Sequence, residues 1–518
     1  MKAQDYKISS EKFVFHSANS NLHDNKLETK AVTYFQDALK RFARNKASIA
    51  ATVIIVFLVL FAIVAPLLSP YTVSYEDVNY AYVLPKNNLC YKLGIHFWDG
   101  GQEKEVNKET YELYRAIQEE TGRTIIMTEP TIREEEYMGK TKTLYKFRVD
   151  TYNAVGVKYE LLTTEQYQAL QKYQDENNVQ VILPITDPKA RPKASQDQNN
   201  ANIWYRTKTG KGMKTETIYD KDGNFIPIYQ ANDGKDEYTS KMYWEGDSKL
   251  YNYAEKKSGG MWNVRVDYRE YYVYKQATND NITRRIDEPL FLFGTNDAGK
   301  DLFSCLANGA RFSLILAVVV ASVNLFVGAI YGSIEGYYGG KIDLIMERIV
   351  DLLASVPFMI VITLLKYHFN VSHVIVLFIA FFLTGWTGMA GRTRMQFYRF
   401  KNQEYVLVAR TLGAKDSRIM FKHIFPNAVG TLITGSVLVI PSVIFSETSL
   451  SYLGIIDLNT SSITSIGTLL AKGQNYLFTF PHMILFPAIF ISLLMLCFNL
   501  FGNGLRDAFN PSLRGTEE

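Results

Sequence analysis

The sequence predicts an all-α, multi-pass membrane protein with an α+β domain inserted between its first and second membrane spans. Two observations support this fold class. Apolar residues are concentrated in six windows, most of them long enough to cross about 30 Å of hydrocarbon as a helix. Polar residues are concentrated in residues 71–293. The six windows are 48–69, 312–332, 349–366, 373–391, 428–448 and 482–502.

The averages over the whole chain hide this organisation. A chain of 518 residues with 47% hydrophobic content and a net charge of +4 would also suit a soluble protein of two or three domains. The segregation of the residues, not their proportions, therefore indicates a membrane protein with a large aqueous insert.

The first window predicts a retained, membrane-spanning helix. About 47 residues precede it, and Pro66 follows Ala65 where a signal peptidase would cut. Four basic residues stand before this window, and none follows it until Lys86. The positive-inside rule therefore places the N-terminus in the cytoplasm. The four are Lys40, Arg41, Arg44 and Lys46.

A second charge count agrees with this orientation. With six spans, the loop between the fourth and fifth windows also falls inside, whereas loop 449–481 carries only Lys472. The basic residues of the inner loop are Arg392, Arg394, Arg399, Lys401, Arg410, Lys415, Arg418 and Lys422. The predicted organisation is a cytoplasmic tail (1–47), a first span (48–70), an extracellular domain (71–290), a bundle (291–511) with an inner loop (393–427), and a cytoplasmic tail (512–518).

The insert has the patterns of a mixed domain. Residues 108–123 and 163–178 show helical spacing, while 142–152 and 263–275 alternate like strands. Residues 188–214 are polar and predict a loop or mobile flap. The insert is also rich in tyrosine, which admits two interpretations: an aromatic surface that binds peptide or protein, or, favoured here, ordinary strand residues. These tyrosines include Tyr251, Tyr253, Tyr268, Tyr271, Tyr272 and Tyr274.

Three cysteines give little indication of a disulfide framework. Cys497 lies within the last span. Cys90 and Cys305 both fall on the outer side, where a disulfide between them is open, but separate thiols are favoured.

One motif resembles a nucleotide site without completing it. GTNDAGKD (294–301) matches seven positions of the phosphate-binding pattern G-x-x-x-x-G-K-[ST], but Asp301 stands where a hydroxyl should meet magnesium. The predicted topology also places it outside, away from cytosolic ATP. We expect no ATP hydrolysis and no metal site here, because no further ligands gather nearby. A turn leading into a helix is the alternative.

The inner loop contains a charged helical hairpin, residues 404–426. Helix-forming residues flank Gly413, which permits a sharp change of direction, and Pro426 predicts the end of the second helix. Such a loop is suited to contact with another protein. The alternative is a solvated amphipathic loop whose positive charge reflects orientation alone.

Several segments resemble a known family, the inner-membrane permease subunits of ABC importers for oligopeptides, dipeptides and nickel, of the second or C type. The resemblance covers the first span and about residues 291–511. The segments that carry it are GTNDAGKDLFSCLANGARFSL (294–314), GYYGGKIDLIMERIVDLLASVPFMI (336–360), LVARTLGAKDSRIMFKHIFPN (407–427), ETSLSYLG (447–454) and FNLFGNGLRDAFNP (498–511).

The resemblance implies a type I ABC importer permease fold with six transmembrane helices, and it implies that 404–426 docks on a cytosolic ATPase. Two departures from the family pattern are visible. Leu407 replaces the signature's acidic residue and Val408 its next alanine, so any salt bridge of that carboxylate is lost or supplied by Glu404. The larger departure is the insert, which replaces a much shorter outer loop in typical relatives. The residues assigned to coupling are Glu404, Ala409, Arg410, Gly413, Ala414, Lys415 and Pro426.

Within the bundle, a few polar residues and prolines are conspicuous. Glu447 is expected near the outer end of the fifth span, in contact with substrate or, favoured here, in a structural role. Asn324 and Asn499 are expected to hydrogen-bond between helices or line the pathway. Arg348 and Asp351 are expected to pair with each other or with a neighbouring subunit. Bends are expected at Pro357, Pro441 and Pro487.

The sequence thus predicts a non-catalytic permease subunit of an ATP-driven oligopeptide importer in a bacterial plasma membrane. Dipeptide or nickel transport, a membrane-anchored receptor or docking protein, and a secondary transporter are the alternatives. The expected partners are a homologous second permease, two cytosolic ATP-binding subunits that hold ATP and Mg²⁺, an extracellular substrate-binding lipoprotein, peptide and membrane lipid. No cofactor bound to this chain and no nucleic-acid partner are expected.

Overall fold

The computed structural model describes residues 34–137, 140–186, 200–211, 215–229, 254–257, 259–276, 279–369, 371–458 and 464–509. Its helices are α1 (Tyr34–Arg44), α2 (Lys46–Leu68), α3 (Asn88–Lys92), α4 (Lys108–Thr121), α5 (Thr164–Asn177), α6 (Tyr268–Lys275), α7 (Leu302–Tyr338), α8 (Gly340–Ser355), α9 (Phe358–His368), α10 (His373–Gly385), α11 (Thr387–Phe400), α12 (Glu404–Thr411), α13 (Asp416–Arg418), α14 (Phe425–Val437), α15 (Val439–Tyr452), α16 (Ile466–Gln474) and α17 (His482–Phe509). Its strands are β1 (Gly101–Asn107), β2 (Thr131–Tyr137), β3 (Lys140–Asp150), β4 (Val157–Leu162), β5 (Ile182–Leu183), β6 (Thr207–Thr209), β7 (Thr215–Thr217), β8 (Ala254–Lys256) and β9 (Trp262–Asp267).

Five helical stretches in the described residues are long and apolar enough to cross a membrane: α2, α7, α10 with α11, α13 through α15, and α17. The predicted third window is not one straight helix, because α8 and α9 meet at an angle of 74°. Val356 has an extended backbone there, since the ring of Pro357 disfavours helical geometry at the residue before it. The six windows thus correspond to five spans and one bent pair, and the bend expected at Pro357 is present.

The bundle is organised around α7, whose 37 residues extend about 55 Å at 1.5 Å per residue. Gly328, Gly332 and Gly336 lie one turn apart on the side facing α11. A Cβ at Gly332 would overlap the carbonyl oxygen of Ala390, and one at Gly336 would lie 2.7 Å from Phe397 Cβ. These glycines therefore permit the close approach of the two helices.

The insert has an aromatic core next to the bundle. Tyr71, Tyr80, Tyr272 and Phe291 are buried, and the rings of Tyr71 and Phe291 stack at 4.7 Å. The Tyr272 hydroxyl donates to the Tyr71 hydroxyl at 3.1 Å. That bond accounts for tyrosine rather than phenylalanine at positions 71 and 272, whereas the buried Tyr80 hydroxyl has no hydrogen-bond partner among the described residues.

The strand predicted over 263–275 is wrong in its second half. Strand β9 ends at Asp267, whose carboxylate accepts a hydrogen bond from the Arg269 backbone N–H and caps α6. Tyr268, Tyr271 and Tyr272 are helical and buried, so neither strand alternation nor a binding surface explains them. Of the other tyrosines considered, 251 and 253 lie outside the described residues and 274 is partly buried.

The described part of 71–290 contains three small antiparallel sheets. Their orders are β1-β3-β2, β4-β9-β5 with β8 also on β9, and β6-β7. The helices predicted over 108–123 and 163–178 are present as α4 and α5. Residues 200–211 are not a mobile flap, because Trp204 is buried and its indole N–H donates to the Ala116 carbonyl at 3.0 Å. The rest of the predicted flap, 188–199 and 212–214, lies outside the described residues.

The insert packs against one end of the bundle. The Tyr82 hydroxyl donates to the Tyr476 hydroxyl at 2.9 Å, and its ring stacks on Phe480 at 4.7 Å. Ser304, in the first turn of α7, donates to the Tyr71 carbonyl at 3.1 Å. The far end of α7 contacts the hairpin 404–426 through Tyr337. The insert and the hairpin therefore lie at opposite ends of α7, as predicted, while the assignment of the insert to the cell exterior stays a prediction.

Candidate coupling hairpin and buried polar sites

The hairpin 404–426 turns at Gly413. Helix α12 ends at Thr411, and Gly413 follows with φ of +79°, in the left-handed region that favours glycine. A Cβ built at this position would meet no atom within 4 Å. The glycine is thus required by backbone conformation and not by lack of space, which refines the role expected of it.

The base of the hairpin is anchored to α7 and α11. Val406, Ile419 and Ile424 are fully buried against Tyr337 and Phe397. A hydrogen bond of 2.6 Å from the Tyr337 hydroxyl to the Asp416 carboxylate joins the end of α7 to the returning arm. The hairpin is therefore packed directly against α7 and α11.

The face of α12 next to the buried one is apolar and exposed, and it continues to Leu412, the residue that follows the helix. Tyr405, Val408 and Leu412 are 40%, 55% and 82% exposed. Their spacing of three and four residues places them on one helical face. This exposed face was not predicted, because the family signature points to Ala409 and Gly413 and not to Tyr405, Val408 and Leu412. The signal available in the sequence was the second apolar stripe beside the buried Val406 and Ala409.

The coupling residues named from the sequence are divided between the two faces. Glu404, Arg410, Gly413, Lys415 and Pro426 are exposed. Ala409 is buried and Ala414 partly buried. Ala409 is thus part of the packing beneath α12, and the coupling role of the exposed residues stays a prediction.

Pro426 does not end the second helix of the hairpin. The stretch Asp416–Tyr452 continues as one helical span through it. Residues Ile419–Ile424 form a π-helical turn, in which the Phe425 N–H donates to the Met420 carbonyl, just before the proline. A wider turn here relieves the loss of the proline donor and the clash of its ring with the preceding turn. The predicted helix end at Pro426 is therefore wrong, because the π turn accommodates the proline.

An ion-pair network stands beside the hairpin. Arg394 on α11 binds Asp343 on α8 through two nitrogens, at 2.6 and 3.0 Å. It also lies 3.4 Å from a carboxylate oxygen of Glu335 and 3.5 Å from one of Glu347. One guanidinium thus connects three acidic residues on α7 and α8, so the two helices are tied to α11 at the hairpin end of the bundle.

Glu447 is fully buried near the end of α15. The hydroxyl of Ser313 on α7 donates to it at 2.7 Å, and that of Ser451 donates at 3.1 Å. A Cβ on Gly467 of α16 would lie 2.7 Å from Ser451 Cβ, so α16 packs closely beside this group. These contacts favour the structural role for Glu447 over contact with substrate.

The two asparagines differ from expectation. Asn324 is buried, but its Oδ1 has no hydrogen-bond partner among the described residues, so the interhelical bond is not made through that atom. It lines an apolar groove of about 280 Å³ with Val319 and Phe378. Asn499 is exposed on α17. A role in the pathway stays a prediction for both.

The remaining candidates are structural. Arg348 and Asp351 are largely exposed and pair with each other at 3.2 Å, which was one of the two arrangements predicted for them. The motif at 294–301 is a turn that leads into α7, where Asp301 caps the helix by accepting from the Phe303 and Ser304 N–H groups. Cys90, Cys305 and Cys497 are free thiols. Within the described residues, the acidic, cysteine and histidine side chains form no cluster suited to a metal ion.

The described helices form a multi-pass bundle of the kind found in membrane transport proteins, with the hairpin 404–426 at one end of α7. Residues 324–515 match the family described as the binding-protein-dependent transport system inner membrane component, and residues 33–87 match the N-terminal transmembrane domain of oligopeptide transport permease C. The chain belongs to this family of oligopeptide and dipeptide ABC-importer permeases, and it is a non-catalytic transport subunit. Residues 88–323, which include most of the insert, lie in neither match.

Two permease relatives of Bacillus subtilis support this assignment. The oligopeptide transport system permease protein of Bacillus subtilis is 44% identical over 222 residues, which are 43% of this chain and 72% of that protein. The dipeptide transport system permease protein of the same organism is 40% identical over 244 residues, 47% of this chain and 74% of that protein. A chain of the MetNI methionine ABC transporter aligns over 39% of this chain and 96% of its own, with 13% identity and a TM-score of 0.32.

Proposed function

We propose that this chain is the C-type permease subunit of an ATP-driven oligopeptide importer, and that the hairpin 404–426 couples it to cytosolic ATP-binding subunits. The observation that carries the coupling role is the exposed apolar face of Tyr405, Val408 and Leu412 on an otherwise basic loop. An 82% exposed leucine at the tip of an anchored hairpin is suited to a hydrophobic groove on a partner.

The proposed orientation places the hairpin and both termini in the cytoplasm and the insert outside. The basic residues before α2 and in loop 392–422 support this orientation. The position of the insert at the opposite end of α7 from Tyr337 supports it as well. ATP then binds with Mg²⁺ on the ATP-binding subunits, and this chain holds neither.

The proposed assembly has two permeases, two ATP-binding subunits and a substrate-binding lipoprotein. Five spans and one bent pair form half of a pathway, so a homologous second permease supplies the other half. In this scheme, closure of the ATP-binding subunits displaces α12. Tyr337 then transmits the displacement to α7, and the ties of Arg394 carry it to α8 and α11.

Dipeptides are the substrate of a relative nearly as similar as the oligopeptide permease, so dipeptide transport is the second candidate. Nickel transport and a receptor without transport are weaker, since an anchor has no use for an exposed hairpin face. Competition of labelled peptides of increasing length for uptake distinguishes the first two candidates, because an oligopeptide importer retains affinity for the longer members.

The coupling role is tested by purifying the complex in mild detergent with Leu412→Asp in this chain. The substitution falls on an exposed side chain, so we expect the protein to remain in the membrane and keep its second permease but lose the ATP-binding subunits. Leu161→Asp is the matched control, because Leu161 is 59% exposed on β4 in the insert. Retention of the ATP-binding subunits by Leu412→Asp would exclude docking through this face.

We further propose that the insert docks or orients the substrate-binding lipoprotein, because it is large and lies at the mouth of the bundle. A trimmed variant follows from two backbone contacts: Thr151 N donates to Gly100 O, and Tyr268 N donates to Gly156 O, each at 3.0 Å. The chain can therefore be rejoined at those pairs while Tyr71, Tyr82 and Trp98, which contact the bundle, are kept. The contact of Gln102 with the Thr479 carbonyl is lost. The excised stretches are 101–150 and 157–267.

We expect the trimmed variant to keep its basal ATP hydrolysis in the reconstituted complex and to bind the substrate-binding protein more weakly. Basal hydrolysis is the control, because it reports an intact bundle and intact docking of the ATP-binding subunits. Normal uptake together with normal affinity for the binding protein would remove this role for the insert.

A further inference from the structure

A patch of exposed apolar side chains lies on the segment between α3 and β1. Leu89, Leu93, Ile95 and Phe97 are 67%, 66%, 45% and 56% exposed. Leu89 and Leu93 stand four residues apart and share one face of the α3 turn. Four large, exposed apolar residues within nine positions are a local concentration, unlike single exposed leucines, which need no explanation. We call these four residues the 89–97 patch.

Trp98 joins the 89–97 patch to the bundle. Its ring contacts that of Phe97 edge to face at 4.8 Å and that of Phe486 on α17 at 5.9 Å. Its indole N–H donates to the Leu292 carbonyl at 2.6 Å. Trp98 is therefore fixed against the outside of a membrane span, with its polar atom satisfied.

Ring contacts with α17 and α2 give the position of Trp98 relative to the ends of these two helices. Phe486 stacks on Phe293 at 4.2 Å, and Phe293 lies 6.4 Å from Phe61 on α2. Phe486 is the fifth residue of α17, and Phe61 stands seven residues before Leu68 at the end of α2. At 1.5 Å per residue these positions lie about 6 Å and about 10 Å inside the helix ends. The rings beside the patch thus lie below the ends of both membrane-spanning helices.

We propose that the 89–97 patch is a membrane-interface anchor, whose side chains lie among the headgroups and first acyl carbons at the end of the bundle that carries the insert. The ring contacts from Trp98 through Phe486 and Phe293 to Phe61 on α2 favour lipid as the occupant, because Leu67 and Leu68 at the same end of α2 are 80% and 61% exposed. Tryptophan at such a boundary is the residue type that membrane interfaces favour. The anchor holds the insert against the membrane, and it does not depend on which substrate the importer carries.

The anchor is tested with nitroxide labels at Leu93→Cys and Phe97→Cys in the full chain. The chain is reconstituted with its second permease and ATP-binding subunits in nanodiscs of phosphatidylcholine and phosphatidylglycerol. The native thiols are removed by Cys90→Ser, Cys305→Ala and Cys497→Ala. Collision of the labels with oxygen, which partitions into lipid, and with a nickel chelate, which stays in water, reports their surroundings.

Ile132→Cys is the matched control. Ile132 lies on β2, is 59% exposed and pairs with Tyr145 on β3. Tyr145 stands five residues before Asp150, the end of β3 near Trp98, so Ile132 lies about 16 Å along the strand from that end. We expect a several-fold higher ratio of oxygen to nickel collisions at 93 and 97 than at 132. Equal ratios at all three positions would overturn the anchor, since the patch would then face water. Low collision rates with both reagents at 93 and 97 would also overturn it, since a protein would then cover the patch.

Discussion

Substitution of Gly413 is expected to weaken the coupling between ATP hydrolysis and uptake, and its size can be worked out from the turn. Gly413 has φ of +79°, and a Cβ there would meet nothing within 4 Å. The cost of a side chain is therefore the left-handed backbone alone, about 1–2 kcal/mol for an ordinary L-residue. A change of that size shifts the population of the native turn by a factor of about 5–30.

Two substitutions of Gly413 distinguish the cost of its backbone conformation from steric obstruction by a side chain. Gly413→Val introduces a β-branched residue, the type that disfavours positive φ most, whereas Gly413→Asn introduces a residue that tolerates it. We expect Gly413→Val to lower peptide uptake per ATP hydrolysed by at most about 5- to 30-fold, the change in the ratio of native to altered turn, and Gly413→Asn to retain most of the uptake. Both variants should reach the membrane at normal levels.

The assay is a proteoliposome containing the complete complex, in which uptake of labelled peptide and phosphate release are measured together. Equal loss in the two variants would show that the side chain, not the backbone, obstructs the turn. Unchanged uptake with Gly413→Val would refute the role of this turn in coupling.

Three further outcomes are expected. Glu120→Gln leaves the buried Arg265 without the carboxylate that it binds at 2.5 and 2.6 Å. The free energy of unfolding of the insert, measured by limited proteolysis, should fall by about 3–5 kcal/mol, and a loss below about 1 kcal/mol would contradict this. Burial raises the pKa of Glu160, and Lys275 opposes this shift, so the folded insert binds the proton more tightly than the unfolded chain does. The stability that protonated Glu160 contributes is therefore lost as pH rises from about 4.5 through the raised pKa. Glu160→Gln should remove this pH dependence from a series of thermal-unfolding measurements. Glu447→Ala leaves the hydroxyls of Ser313 and Ser451 without their acceptor. It should therefore lower the unfolding temperature of the purified complex more than Glu447→Gln does. Equal decreases in the two variants would contradict the structural role.

The spans and the hairpin were predictable because they depend on local properties of the sequence. Apolar windows of sufficient length specify membrane helices regardless of their neighbours, and Gly413 marks its turn through a backbone preference. The face of α12 that carries Leu412 was also present as a stripe of apolar residues, but its exposure depends on Tyr337 and Phe397 covering the other face.

The errors fall where distant contacts or unusual turns decide the structure. Residues 268–275 alternate like a strand, yet Asp267 caps a helix and the tyrosines enter a core with Tyr71 and Phe291, which lie far away in sequence. Pro426 predicts a helix end, yet a π turn absorbs it. The unpaired Oδ1 of Asn324 likewise follows from the packing of α7 and α10, which no local pattern specifies.

The most direct test of the coupling role is a photo-crosslink from position 412. A benzophenone amino acid replaces Leu412 in the complete complex, and the adducts are identified by mass spectrometry, with position 161 on the insert as the control. Coupling through the hairpin predicts an adduct with an ATP-binding subunit from position 412 and none from position 161. A position 412 that reacts only with lipid or solvent, in a complex that still takes up peptide, would contradict it.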